Sequence, residues 1–257
     1  MNDKDYIKSL EKALNILWLL SEHGSPLKLE NLVKISGIKK TSCFRILQTL
    51  TRAGFINKAP DTNSYFIGPR MIAIGLSVLD KVGVRELALP FMEDIRKKTG
   101  TTVNLAILGG TDVIFVERLQ SAHIVEPNLR IGSRLSVHLS CMGKSILAYL
   151  PEPELEKILK QVRFERKTEK TITSIEALKD ELGEIRKKGF ALNNEELEKG
   201  LFAIAAPLRN HTGFAVASMN IAVLLMRHSK QEAMKNFCPL LLDACRKISH
   251  SLGFQEK

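Results

Sequence analysis

The chain is poor in the residues and patterns that most often announce chemistry. Only four cysteines occur in 257 residues, Cys43, Cys141, Cys238 and Cys245. No two form a CxxC pair, and no histidine is spaced to complete a zinc site, so neither a metal nor a cofactor is expected. They read as free thiols of a reducing compartment. No apolar run approaches the ~18 residues of a membrane span; the longest, over 214–226, is interrupted by Asn220 and reads as a strand. The opening MNDKDYIKSL lacks the apolar core of a signal peptide, and the expected location is cytoplasmic. Catalytic signatures are missing as well. Met142-Gly143-Lys144-Ser145 ends like a phosphate loop, but GxxxxGK[ST] needs glycine where His138 stands. There is no GxSxG elbow and no HExxH pair, and His138 and Cys141 have no identifiable third residue to orient a thiol–imidazole couple. An enzyme is not the expected reading.

Acidic residues are scarce in one stretch above all. Between Lys28 and Lys58 the only acid is Glu30, against Lys28, Lys34, Lys39, Lys40, Arg45, Arg52 and Lys58. The whole chain carries a formal charge of +10, from 38 Lys and Arg against 28 Asp and Glu, and the signs are interleaved beyond residue 70. Such an excess favours a polyanion, nucleic acid first. A hydrophobic fraction of 44% with a mean hydropathy of -0.03 describes an ordinary globular chain.

The basic stretch has a recognisable frame. Leu10, Ala13, Leu14, Leu17 and Leu20 fall at helical spacing and predict a helix over 8–22. A short second helix, with Leu29, Leu32 and Val33 inward, ends at Ser36-Gly37, where glycine suits the left-handed closing turn. A third is expected over 40–53, with Phe44, Leu47 and Leu50 buried and Lys39, Lys40, Thr41, Ser42 and Arg45 at its start or on the opposite face. Helix, glycine turn, then a helix with a basic N-terminus is the helix-turn-helix layout, whose second helix enters the major groove. Two short strands around Asp61-Thr62-Asn63 predict a wing. Lys58, and Lys28 in the same basic set, are placed for phosphates. A solvated surface charge is the plain reading of any one of these residues; seven against one acid, on this element order, point to DNA.

Gly68-Pro69 ends the wing, so residues 1–69 form the first domain. Met71, Ile72, Gly75, Leu76 and Leu79 mark a linker helix within 70–84 whose apolar face calls for a partner chain, hence a dimer, with packing against the second domain as the alternative. Residues 85–257 read differently. A helix carrying Leu87, Phe91 and Ile95 ends at Gly100. β-rich runs over 103–108 and 113–119 flank a Gly-Gly-Thr-Asp turn. A helix runs over 143–150, a charged and mobile loop over 163–173, and a helix over 174–188. Strands over 190–193, 203–208 and 214–222 precede a closing helix over 229–252. Hairpins flanked by helices predict an α+β domain with a curved sheet.

Six stretches, in this order and spacing, resemble the IclR family of bacterial regulators: SLEKALNILWLLSEHG, TSCFRILQTLTRAGFI, YFIGPRMIAIG, GSRLSVHLSCMGKSILAYLP, GFALNNEELEKGLFAIAAPLR and AVASMNIA. The resemblance spans nearly the whole chain. It implies an N-terminal winged helix-turn-helix and a C-terminal GAF-like α+β effector-binding domain. It further implies a homodimer or homotetramer on near-palindromic double-stranded operator DNA, no membrane, and a small organic or aromatic acid as effector. Carried over residue by residue, it places the effector at Cys141, Met142 and Gly143, and at Asn193, Ala203, Asn220 and Ala222 on the strands. The free N–H groups opening the helix at Gly143 suit a carboxylate, and Arg134 is near enough in sequence to neutralise it. Ser136 stands where the family usually has proline, and Asn193 where it often has an acid. Taken as residues alone, Cys141 reads equally as buried packing and Asn220 as a satisfied strand amide. Three other readings compete: a redox-responsive regulator switching on Cys43, among basic residues that favour a thiolate, or on Cys141; a small-molecule enzyme; and an architectural DNA binder, which leaves the second domain without a purpose.

Overall fold

The computed structural model describes residues 6–74, 83–121 and 129–255. The chain divides into two compact units, Met1–Lys81 and Val82–Lys257. In the first, α1 (Lys8–His23), α2 (Leu29–Ser36) and α3 (Lys40–Arg52) surround a core of Ile16, Leu20, Leu32, Ile38, Cys43, Leu47 and Ile56. Gly37 closes α2 at φ 67, its N–H donating to the carbonyl of Val33, and only glycine enters that region without strain. β1 (Leu27–Lys28), β2 (Ile56–Lys58) and β3 (Ser64–Ile67) form an antiparallel sheet in the order β1-β3-β2. The wing turns through Asn63, at φ 51. Residues 70–74 begin the expected linker helix, with Ile72 exposed; Gly75, Leu76 and Leu79 lie outside the described residues.

Two helical stripes differ from the expectation. On α1 the buried face is Ile16 and Leu20, while Leu10 and Leu14 are 54% and 57% exposed. The helix is apolar on more than one side, and spacing alone cannot choose between faces. On α3, Cys43 takes the buried position beside Leu47 and Leu50, and Phe44 turns outward at 45% exposure. A small thiol fits where α3 closes on the core; a phenyl ring does not.

The second unit is α+β, with an antiparallel sheet of order β6-β5-β4-β9-β8-β7 among the described residues. Its strands are β4 (Thr102–Gly109), β5 (Asp112–Leu119), β6 (Arg134–Ser136), β7 (Ala191–Asn194), β8 (Leu201–Arg209) and β9 (Ala215–Leu224). α4 (Val84–Thr99) and the C-terminal helix, which enters through five π-helical residues (Ala233–Phe237), pack on the sheet and on each other. The inward residues of α4 are Val84, Ala88, Met92 and Ile95 rather than Leu87 and Phe91. α5 (Cys141–Leu147) packs on β8 and β9, and α7 (Ile175–Lys188) packs on α5; α6 (Glu152–Leu159) contributes Leu155 and Leu159 to the same core. Strand alternation supports this placement: Ala203 and Ala205 belong to the core cluster that holds Cys141 and Met142.

α5 starts two residues before the expected position. Ser140 caps it, accepting from the Gly143 N–H at 3.4 Å. A Cβ on Gly143 would lie 2.5 Å from the Val137 Cα and 2.6 Å from its carbonyl oxygen. This glycine is there to let backbone approach backbone. Alanine would gain up to ~1 kcal/mol of helix propensity, but the clash is with main chain that cannot rotate away. We expect Gly143→Ala to destabilise the domain by about 3 kcal/mol, the upper end for overpacking. A urea melt showing a loss under ~0.5 kcal/mol, the range of an inconsequential substitution, would contradict that view of Gly143. The loop over 163–173 is pinned rather than loose. Thr171 Oγ1 donates to the Glu196 carbonyl at 2.7 Å, Thr168 Oγ1 to that of Glu195 at 2.8 Å, and Lys170 pairs with Glu195 at 2.7 Å.

Candidate nucleic-acid interface and ligand cavity

In the first unit Lys39 precedes α3, Lys40, Thr41 and Ser42 form its first turn, and Arg45 lies one turn on. Ser42 is half-buried; Lys28, Lys39, Lys40, Thr41, Arg45 and Lys58 are exposed, with Lys28 on β1 and Lys58 on β2 of the wing. The side chains of Lys40 and Glu30 approach to 3.6 Å, both 67% exposed, a pair that solvent screens to little net energy. Exposed Phe44 shares the outer surface of α3, which the stripe assignment had hidden. Cys43 is fully buried, and burial pushes its thiol pKa up. The thiolate that a redox switch needs is disfavoured there.

In the second unit a cavity lies between the sheet and the start of α5, with about 490 Å³ of space between atoms, its open mouth included. Six of the seven carried-over residues line it: Cys141, Met142, Asn193, Ala203, Asn220 and Ala222. Gly143 does not. The strand register explains the convergence, because Asn193 pairs with Ala203 and Ala203 with Ala222 across β7, β8 and β9. A parallel row runs through Asn220, opposite Asn104 on β4, to Arg118 on β5. Arg118 Nη1 donates to Asn104 Oδ1 at 3.2 Å, Asn104 Nδ2 to Asn220 Oδ1 at 2.8 Å, and Asn220 Nδ2 to Cys141 Sγ at 3.7 Å. Asn193 Nδ2 donates to the Leu139 carbonyl at 2.7 Å. Cys141 is buried and burial pushes its thiol up to about 11, so it too presents a neutral thiol.

Arg134, the cation expected near the site, is turned elsewhere. Its guanidinium donates to Asp112 at 2.8 and 3.0 Å and to the Gly109 carbonyl at 3.0 Å. Arg118 lines the cavity in its place, with Asn104, Phe115, Leu129, Leu135 and Leu197 among its further neighbours. Behind the wall, Lys144 is wholly buried and holds Glu196 at 2.7 and 2.9 Å, while the Glu196 N–H donates to Asn193 Oδ1 at 3.1 Å. His138 is buried beside Phe164 and Glu165, and burial pulls its pKa down. Among the described residues no group of His, Cys, Asp or Glu is arranged to hold a metal, and no helix is long and apolar enough to cross a membrane.

A helix-turn-helix with a basic second helix and a wing, followed by an α+β domain containing a cavity, defines a class of transcription regulators. Comparison with known proteins supplies the family. Residues 9–60 match the IclR helix-turn-helix domain, and residues 76–250 match the bacterial transcriptional regulator IclR C-terminal domain. The chain is 32% identical over 248 residues to the HTH-type transcriptional regulator XynR of Escherichia coli, covering 96% of this chain and 98% of that protein. The crystal structure of the Thermotoga maritima IclR superposes with a TM-score of 0.73 at 29% identity, over 97% of this chain and 100% of the other. An IclR homologue from Microbacterium hydrocarbonoxydans, complexed with 4-hydroxybenzoate, shares the fold at a TM-score of 0.81 and 22% identity, over 95% and 99% of the two chains. This chain belongs to the IclR family of bacterial transcription regulators; it is a DNA-binding regulator and not an enzyme.

Proposed function

We propose that the protein is a cytoplasmic repressor of a catabolic operon, controlled by a small organic acid held in the cavity beside Cys141. The convergence of Cys141, Met142, Asn193, Ala203, Asn220 and Ala222 on one cavity carries this reading. Mostly apolar walls with a few convergent polar groups are the make-up of small-molecule sites. The acid bound by the Microbacterium relative is of the same chemical kind. The protein acts as a homodimer, or a pair of dimers, on a near-palindromic operator. The exposed apolar row Ile7, Leu10, Leu14 and Trp18 along α1, with Ile72 beyond the wing, supports a partner chain against the DNA-binding halves. Lys39, Lys40, Thr41, Ser42 and Arg45 face the major groove, with Lys28 and Lys58 on phosphates. Effector binding changes the separation of the two recognition helices, which half-sites fix at about 34 Å. It does so only through unequal affinity for the two arrangements.

Thermal melting against a panel of organic and aromatic acids tests this. An effector at 100 times its Kd adds ~2.7 kcal/mol if it binds the folded state alone. Asn220→Leu should leave operator affinity unchanged while abolishing the ligand shift. A full ligand response in Asn220→Leu would remove the effector from this cavity.

A further inference from the structure

The cavity has a polar end built from donors and an apolar body. Of the described residues that line it, only Arg118 is charged at neutral pH. The guanidinium also dictates how the neighbouring amides point. Arg118 donates to Asn104 Oδ1, so Asn104 must donate onward to Asn220 Oδ1, and Asn220 turns its nitrogen toward Cys141. Both amide oxygens are engaged within this row, and each amide nitrogen keeps a second N–H. Ser140 Oγ accepts from Gly143 and so keeps its own O–H to donate. Asn104 and Asn220 are 2% and 6% exposed, deep enough for those donors to act with little water between. The rest of the described lining is mostly apolar, Phe115, Leu129, Leu135, Leu197 and Leu201 among it, with Asn193 as its further polar side chain.

We infer that the cavity takes a monocarboxylate with an apolar body, aromatic or alkyl, and that Arg118 and Asn104 select its carboxylate. This rests on the reading of the cavity as the effector site. A guanidinium flanked by amide donors matches the two oxygens of a carboxylate. Among the described residues that line the cavity, a second carboxylate would find no further charged side chain, and the hydroxyls of a sugar acid would find only Asn193 and Ser140 beyond this row.

Titration calorimetry of the full chain with benzoate, hexanoate, benzamide, succinate and gluconate decides it. Benzoate or hexanoate should bind, with benzamide, succinate and gluconate each weaker by about tenfold or more. Arg118→Met should weaken the monocarboxylate by about 10- to 100-fold, and Arg118→Lys should recover part of the loss, since the charge returns without the fork. The circular dichroism of each variant, matched to the parent, secures the comparison; an Arg118→Met chain that does not fold leaves the lysine variant and the ligand series to decide. Gluconate or succinate binding as tightly as benzoate overturns the ligand class but leaves the cavity as the effector site. If neither monocarboxylate binds, the ligand class is overturned as well. Benzoate binding unaltered in both Arg118→Met and Asn220→Leu overturns the class assignment and the effector reading together.

Discussion

Lys144→Met should destabilise the second domain by about 3–5 kcal/mol, although methionine nearly matches the lysine stem in length and bulk. The ammonium is fully buried, with both Glu196 oxygens at 2.7 and 2.9 Å and Glu181 at 3.6 Å. Removing one member of a buried pair leaves the other desolvated and unmatched, and that penalty exceeds the Coulomb energy lost. Screening does not rescue it, since Glu196 retains only 10% of its side-chain exposure. The loss should therefore persist in salt, unlike that of a surface pair. Lys144→Met with Glu196→Leu should recover most of the stability, since two apolar groups need no partner. Urea denaturation of the full chain, followed by circular dichroism at pH 7, measures the single and the double variant. A loss below ~1 kcal/mol at pH 7, typical of exposed pairs, would mean that water reaches the ammonium. The pair also steadies the cavity, because the Glu196 N–H holds Asn193 by its amide oxygen.

What the sequence makes legible, and what it hides, follows from the range of each interaction. The helix-turn-helix is local: a glycine at φ 67 closes α2, a four-residue rhythm sets Leu47 on α3, and a run of basic residues lacks acids. Stripe assignment fails where a helix is apolar on two sides, as α1 is at Leu10 and Leu14, or where a small thiol competes with a ring, as at Cys43 and Phe44. The missing cation is a question of register. Counting back from the turn, where Gly109 faces Asp112 and Ala106 faces Phe115, places Asn104 opposite Glu117. An irregularity between Leu105 and Ala106 shifts the ladder by one residue, and Arg118 arrives beside Asn104 instead. Since adjacent strand residues face opposite ways, that single residue exchanges an acid for a base at the cavity. Arg134 looked closer to α5 in sequence, yet it is spent on Asp112 across the β5–β6 pair. The family resemblance found six of the neutral lining residues; the others, and the charged one, needed the fold.

Duplex DNA binding should weaken about 10³- to 10⁵-fold between 50 and 200 mM salt, as for a protein that neutralises 6–10 phosphates. Lys28, Lys39, Lys40, Arg45 and Lys58 are exposed, and each is doubled in a homodimer. Not all of them are expected to meet phosphates, since Arg45 lies a turn inside α3, where side chains of a recognition helix reach base edges. The two roles separate in the data. Lys58→Ala should lower the slope of log K against log salt by about one unit for each phosphate left without its lysine, uniformly over sequences. Arg45→Ala should weaken the preferred operator by about 1–3 kcal/mol and relax selectivity at one base step, leaving random duplex almost unchanged. The Lys40–Glu30 pair does not compete, because two groups 67% exposed give up little when a phosphate replaces the carboxylate. Fluorescence anisotropy on a duplex selected from a random pool and on a scrambled one, at four salt concentrations, supplies every slope. A slope near zero would mean that the basic face is merely solvated. An Arg45→Ala loss equal on both duplexes would move Arg45 from base reading to the backbone.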